Sequence, residues 1–277
     1  MSDDYISTEK PDRALMRRLL ILGGTAEARA LASLATARFG ARLAIAVSLA
    51  GRTQTPELWE GAIRVGGFGG SDGLANFLRN ERIDFLVDAT HPFAATMSAH
   101  AVAAAAITRV PLLRLERPPW TAQPGDRWVE AADAEAAARA ALGLGQRIFL
   151  AFGGRELAPF AALTDKWFLV RRIDAPVQAL PLRDYTLTLE RGPFTVEAET
   201  ALLRRHRIDA MVSKASGGTQ TRAKLDAARV LGLPVVMIAR PAKAPALTIA
   251  SQKEAVRRIA AALFPDMAID GQASVSA

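Results

Sequence analysis

The 277-residue chain predicts an α/β protein built on two doubly wound parallel sheets. Three observations carry that prediction. Short apolar runs alternate with helical stretches along nearly the whole length. Diglycine turns, which mark strand-to-helix junctions, stand at Gly23-Gly24, Gly153-Gly154 and Gly217-Gly218. The alternation breaks at Pro118-Pro119 and Gln123-Pro124-Gly125-Asp126, then resumes. Strands separated by single helices become parallel neighbours through right-handed crossovers.

In order, 19–22 is a buried strand closed by Gly23-Gly24-Thr25, and 26–39 is a helix. Strand 42–47 ends in a polar loop running from Ser48 to Pro56. A brief strand at 63–65 precedes Gly66-Gly67-Phe68-Gly69-Gly70, which forces a loop before helix 72–80. Strand 84–88, the Ala-rich helix 93–108 and strand 110–115 complete four units in the first 117 residues. After the break come helix 133–142, strand 147–152, a short helix at 156–163 and strands 166–173 and 185–189. Helix 195–206, strand 209–213, helix 219–231, strand 235–239 and helix 252–263 follow. The predicted domains are 17–125 and 126–264, with flexible tails at 1–16 and 265–277; Met16 is an alternative start.

Half the residues are hydrophobic and 23% are charged, which excludes a disordered or collagen-like chain. Cysteine is absent, excluding disulfides, thiolate metal sites and cysteine nucleophiles and agreeing with a cytoplasmic location. No apolar segment reaches the ~18–20 residues that cross a bilayer, and Asp3, Asp4 and Glu9 argue against an export signal, so no membrane partner is expected. The net charge is +7, and 29 of the 35 basic residues are Arg. The guanidinium fork grips carboxylate or phosphate with two bonds, so an anionic ligand is favoured over coding bias alone. Nucleic acid is not expected as a partner, because the arginines are dispersed and aromatics are only 6%. The sequence leaves the oligomeric state open.

Ligands of open α/β sheets bind at the carboxyl ends of the strands. After the first strand, Gly23, Gly24, Thr25 and Ala26 form a candidate pyrophosphate cradle, in which Thr25 adds a hydroxyl or only caps the helix. The run lacks the full G-x-G-x-x-G fingerprint. Ser48 and Arg52 end the second strand, with no acid before Glu57, which suits a 2′-phosphate and so NADPH rather than NADH. Thr90, His91, Pro92 and Phe93 follow the fourth strand; they serve as a functional loop or a helix cap, with Asp88 placed to orient His91. Ser213, Lys214, Ser216, Gly217, Gly218 and Thr219 combine an ammonium, hydroxyls and a diglycine at a helix start, the makings of an anion cradle. No H-E-x-x-H, G-x-S-x-G or clustered His with Asp or Glu appears, so neither a metal site nor a serine hydrolase is expected. The Tyr-x-x-x-Lys pair of short-chain reductases is missing, since the tyrosines are Tyr5 and Tyr185.

The chain resembles the precorrin-6A reductases of cobalamin biosynthesis, including the cobalt-precorrin-6A version of the anaerobic route. The resemblance rests on Ile21-Leu22-Gly23-Gly24-Thr25-Ala26-Glu27-Ala28, Ser48-Leu49-Ala50-Gly51-Arg52, the 66–70 glycine loop and Asp88-Ala89-Thr90-His91-Pro92-Phe93-Ala94. It continues through Arg114-Leu115-Glu116-Arg117-Pro118-Pro119-Trp120, Gly154-Arg155-Glu156-Leu157 and Ser213-Lys214-Ala215-Ser216-Gly217-Gly218, spanning about 17 to 241. It implies two Rossmann-like domains with NADPH and a tetrapyrrole in the cleft between them, and hydride transfer to one ring double bond to give precorrin-6B. The substrate would be a polycarboxylate held by Arg155 and the 213–219 loop, which gives the arginine excess a purpose. Lys214 and His91 are the candidate proton donors; water or a substrate carboxyl serves equally. Two alternatives remain: another NADP-dependent oxidoreductase of a polyanionic small molecule, or a non-catalytic dinucleotide-binding protein.

Overall fold

The computed structural model describes residues 16–49 and 61–267. Their chain divides into two units, Met1–Arg117 with Lys243–Ala277, and Pro118–Ala242. In the first unit the elements are β1 (Arg17–Leu22), α1 (Ala26–Phe39), β2 (Leu43–Leu49), β3 (Ala62–Val65), α2 (Ser71–Asn80), β4 (Phe85–Asp88), α3 (Ala95–Thr108) and β5 (Leu112–Leu115). In the second they are β6 (Arg127–Ala131), α4 (Ala134–Ala141), β7 (Arg147–Leu150), a 3-10 helix (Arg155–Ala162), β8 (Trp167–Arg172), β9 (Tyr185–Leu189), α5 (Val196–Arg205), β10 (Ala210–Lys214), α6 (Ala223–Val230) and β11 (Pro234–Ile238). The chain then adds β12 (Thr248–Ile249), α7 (Gln252–Leu263) and a 3-10 turn (Pro265–Met267) to the first unit.

The first sheet has the order β12-β5-β4-β1-β2-β3 and every pairing is parallel. β1 shows why its sequence is an unbroken apolar run. Leu19 and Ile21 point into the core that α1 and α7 cover, while Leu20 and Leu22 point into the one under α2 and α3. A parallel strand covered on both faces has no solvent side, so the polar alternation of a half-exposed strand disappears. Thr25 starts α1 by accepting a hydrogen bond from the Ala28 amide through its hydroxyl.

The second sheet is also all-parallel, in the order β6-β11-β10-β7-β8-β9. Phe149, Leu169, Met211 and Val235 meet Leu202 and Leu203 of α5 and Leu225 of α6 on one face. The doubly wound α/β reading therefore holds for both units. No helix among the described residues is long and apolar enough to cross a membrane.

Three expectations change. The second domain was expected over 126–264, but Pro118 opens the second unit and 243–264 belong to the first. The reason is burial: Ala255, Ile259, Ala260 and Leu263 of α7 join the same core as Leu31 of α1, and β12 extends the sheet beside β5. The C-terminal tail is likewise docked as far as Met267, with Phe264 stacked on Phe39 at 4.9 Å and Asp266 2.8 Å from Arg42. Finally, β6 stands between the break ending at Asp126 and helix 133–142, where no strand is expected from the sequence. It is an edge strand pairing only with β11, and its mixed exposure carries no two-sided apolar signature.

Candidate functional site

Each sheet has one place where the winding reverses and neighbouring strands send their connections to opposite faces, which opens a crevice above their carboxyl ends. In the first sheet that place is between β1 and β4. Gly23, Gly24, Thr25 and Ala26 leave β1, and Thr90, His91, Pro92 and Phe93 leave β4. The Thr25 hydroxyl joins the two sides by donating to the Ala89 carbonyl at 2.8 Å. Ser48 closes the group from β2, accepting the Gly23 amide on its carbonyl at 2.9 Å. Arg52 lies outside the described residues.

The Gly23 amide is thus committed to the sheet, but its successors are not. Among the described residues no hydrogen bond uses the amides of Gly24, Thr25, Ala26 or Glu27. Gly24 has φ +101°, and a Cβ there would meet open space within 4 Å. Four consecutive donors at a helix start, beside the positive end of its dipole, suit a pyrophosphate. The Glu27 carboxylate would oppose that charge, and Arg117 neutralises it at 2.7 Å.

Asp88 does not orient His91. Its carboxylate receives the Thr90 amide (3.2 Å), the Thr90 hydroxyl (2.7 Å) and Arg114 Nε (3.1 Å). Burial pushes the Asp88 carboxyl up, but the Ser98 and Thr90 hydroxyls, the Lys243 charge and Arg114 together hold it below its ordinary value. His91 Nδ1 instead accepts the Phe93 amide at 3.2 Å, folding the loop on itself. Two residues absent from the sequence-based site, Arg114 and Lys243, therefore support this loop. Arg114 Nη1 also donates to the Ala244 carbonyl at 3.0 Å, and Lys243 pairs with Glu116 at 2.6 Å.

In the second sheet the reversal falls between β7 and β10. Lys214 ends β10, and Ala215, Ser216, Gly217 and Gly218 form the loop that follows. Three of its four carbonyls are tied down. Arg240 takes those of Ala215 (2.8 Å) and Ser216 (3.1 Å), and the Trp120 indole donates to that of Gly218 at 2.6 Å. No hydrogen bond among the described residues uses the amides of Gly217, Gly218 or Thr219. Carbonyls held by cationic and indole donors leave those amides to an anion. Ser213 is buried at 1% exposure and its hydroxyl donates to the Lys214 carbonyl at 3.3 Å. Arg155 opens the 3-10 helix after β7. α6 begins at Ala223 rather than 219, because residues 219–222 close a turn of their own, the Arg222 amide donating to the Thr219 carbonyl at 3.2 Å.

The family model described as precorrin-6x reductase CbiJ/CobK matches residues 18–262, which takes in both crevices. The chain belongs to this family.

Among relatives of the precorrin-6x reductase family, the precorrin-6A reductase of Rhodococcus erythropolis is 53% identical over 231 residues, 83% of this chain and 92% of that one. That of Rhodobacter capsulatus is 48% identical over 242 residues, covering 87% and 94%. A solved structure, CobK precorrin-6A reductase, superposes with a TM-score of 0.83 at 45% identity, covering 89% of this chain and 97% of that chain. As a precorrin-6x reductase the protein is an oxidoreductase acting on a carbon–carbon double bond with a reduced nicotinamide cofactor. The unengaged amides and the open space at Gly24 fit the diphosphate of such a nucleotide. Trp120, Arg240 and Glu156 escaped the sequence-based site: Trp120 reaches a carbonyl 98 residues away, Arg240 reaches carbonyls 25 and 24 residues away, and only packing brings Glu156 to Lys214.

Proposed function

We propose that the chain reduces precorrin-6A to precorrin-6B in cobalamin biosynthesis, in the cytoplasm, with NADPH on the first unit and the substrate's carboxylates on the second. The four successive unengaged amides from Gly24 to Glu27 are the observation that carries this reading. Ser48 at the end of β2 and Arg52 beyond it, with no acid before Glu57, favour a 2′-phosphate over a bare ribose hydroxyl. Thr25 and the loop of Thr90, His91, Pro92 and Phe93 complete the nucleotide's surroundings.

When bound, the nicotinamide supplies a hydride to one carbon of the double bond, and a proton goes to its partner atom. The chain's own contribution is position and field. Gly217, Gly218 and Thr219 present amides to a carboxylate, and the Lys214 ammonium adds charge, so the macrocycle is held in one orientation. Lys214 and His91 are the candidate proton donors; the His91 ring accepts the Phe93 amide at Nδ1, which leaves Nε2 as its donating atom.

The test of the cofactor is Arg52→Ala. Losing a charge-assisted contact of about 1.5–3 kcal/mol should raise the KM for NADPH about 10- to 100-fold and leave that for NADH within twofold. Equal losses for both nucleotides would remove Arg52 from the 2′-phosphate. Anaerobic mixing with precorrin-6A and NADPH, followed by loss of both absorbances, reads the reaction itself.

A further inference from the structure

Lys214 has a partner for which the reading above finds no use. Its Nζ lies 2.6 Å from Glu156 Oε1, and the two side chains are 15% and 37% exposed. Lys214 ends β10 and Glu156 stands in the first turn of the helix after β7, so the pair reaches across the strands where the second sheet reverses. The Phe152 ring, 5.8 Å from the ammonium, lines the same spot.

Two physical points separate this pair from an ordinary surface bridge. An ammonium drawn this far out of water is costly without a counter-charge, and its four-carbon stem has many rotamers until something fixes it. Conversely, a carboxylate beside a loop of outward amides works against an anionic ligand. Its presence there is explained when its effect on Lys214 outweighs its repulsion of the substrate.

We propose that Glu156 is the positioning residue for Lys214, fixing Nζ at the crevice of the second sheet where it meets the anionic macrocycle. This rests on the assignment of Lys214 to the substrate and adds a residue that acts only through it.

The experiment is a double-mutant cycle in anaerobic steady-state kinetics with precorrin-6A and NADPH, on the wild type, Glu156→Gln, Lys214→Met and the double variant, with thermal melts of each. Glu156→Gln keeps shape and removes charge. It should lower kcat/KM for the tetrapyrrole about tenfold, the scale of one charge-assisted hydrogen bond, with the NADPH KM unchanged within twofold. Glu156→Asp, which keeps the charge, should recover part of the loss. The double variant should be no worse than Lys214→Met alone. An impaired Lys214→Met beside a normal or tighter-binding Glu156→Gln would overturn the role of Glu156 and leave Lys214 standing. Losses that multiply in the double variant would also overturn it, since Glu156 would then act independently. A Lys214→Met enzyme with wild-type kinetics would refute the assignment of Lys214 itself, and the inference with it.

Discussion

Substituting Gly217 by alanine sets the anion loop against its own floor. Gly217 has φ +70°, where a side chain costs about 1–2 kcal/mol. A Cβ at this position would lie 2.1 Å from the Pro118 carbonyl oxygen and 2.7 Å from Arg240 Nη2. Arg240 can swing, but the Pro118 carbonyl is backbone, so the loop must move by about 1 Å, adding about 1–3 kcal/mol of overpacking. The sum, about 2–5 kcal/mol, should lower the melting temperature by on the order of 10 °C. A shift of that size in a positioning loop can cost up to about 100-fold in kcat/KM for the tetrapyrrole. The NADPH KM should stay within twofold. Gly24→Ala is the control, since it shares a positive φ, +101°, but its Cβ meets open space. It should cost only the conformational term and raise the NADPH KM instead. A Gly217→Ala enzyme with normal stability and normal tetrapyrrole kinetics would refute the description of the loop. So would one whose loss falls on NADPH.

Thr25→Val removes both the cap on the Ala28 amide and the bond to the Ala89 carbonyl. It should destabilise the protein by about 1–3 kcal/mol in urea unfolding and raise the NADPH KM several-fold. Asp88→Asn tests the buried pair with Arg114, whose side chains are 0% and 6% exposed. Removing one charge of such a pair costs about 3–5 kcal/mol. Because the folded Asp88 pKa lies below its ordinary 3.8, the wild-type contribution is fully present above pH 3.8 and is lost as pH falls through the lower folded value. The acid limb of a stability–pH profile should therefore be flatter below pH 3.8 in Asp88→Asn, and an unchanged limb would remove Asp88 from that account.

The sequence carried what local rules determine. The unbroken apolar run of β1 announces a strand covered on both faces, and Thr25 after a diglycine announces a helix start. The loops after β1, β4 and β10 could be named as ligand-facing because carboxyl-end placement follows from strand-helix alternation alone. The motifs within those loops were enough to suggest the reductase family. What stayed hidden depends on partners far along the chain. β6 and β12 have too few inward residues for a period, and exist as strands because β11 and β5 offer them open edges. α7 looks like any amphipathic helix; only the exposed flank of the first core decided which unit it completes.

The site divides in the same way. Glycine, hydroxyl and ammonium at a strand end are local chemistry, so Gly24, Thr25, Gly217, Gly218 and Lys214 were legible one residue at a time. Whether an amide is engaged, which carboxylate faces Lys214 and what clamps the carbonyls of Ala215, Ser216 and Gly218 are properties of through-space pairs, set when Glu156, Trp120 and Arg240 are brought within about 3 Å of them. Hydrogen bonds and ion pairs act over a few ångströms and take no account of separation along the chain. The order of residues therefore determined the kinds of loop this protein carries, and the packing within each unit decided which of their polar groups remain available to a ligand.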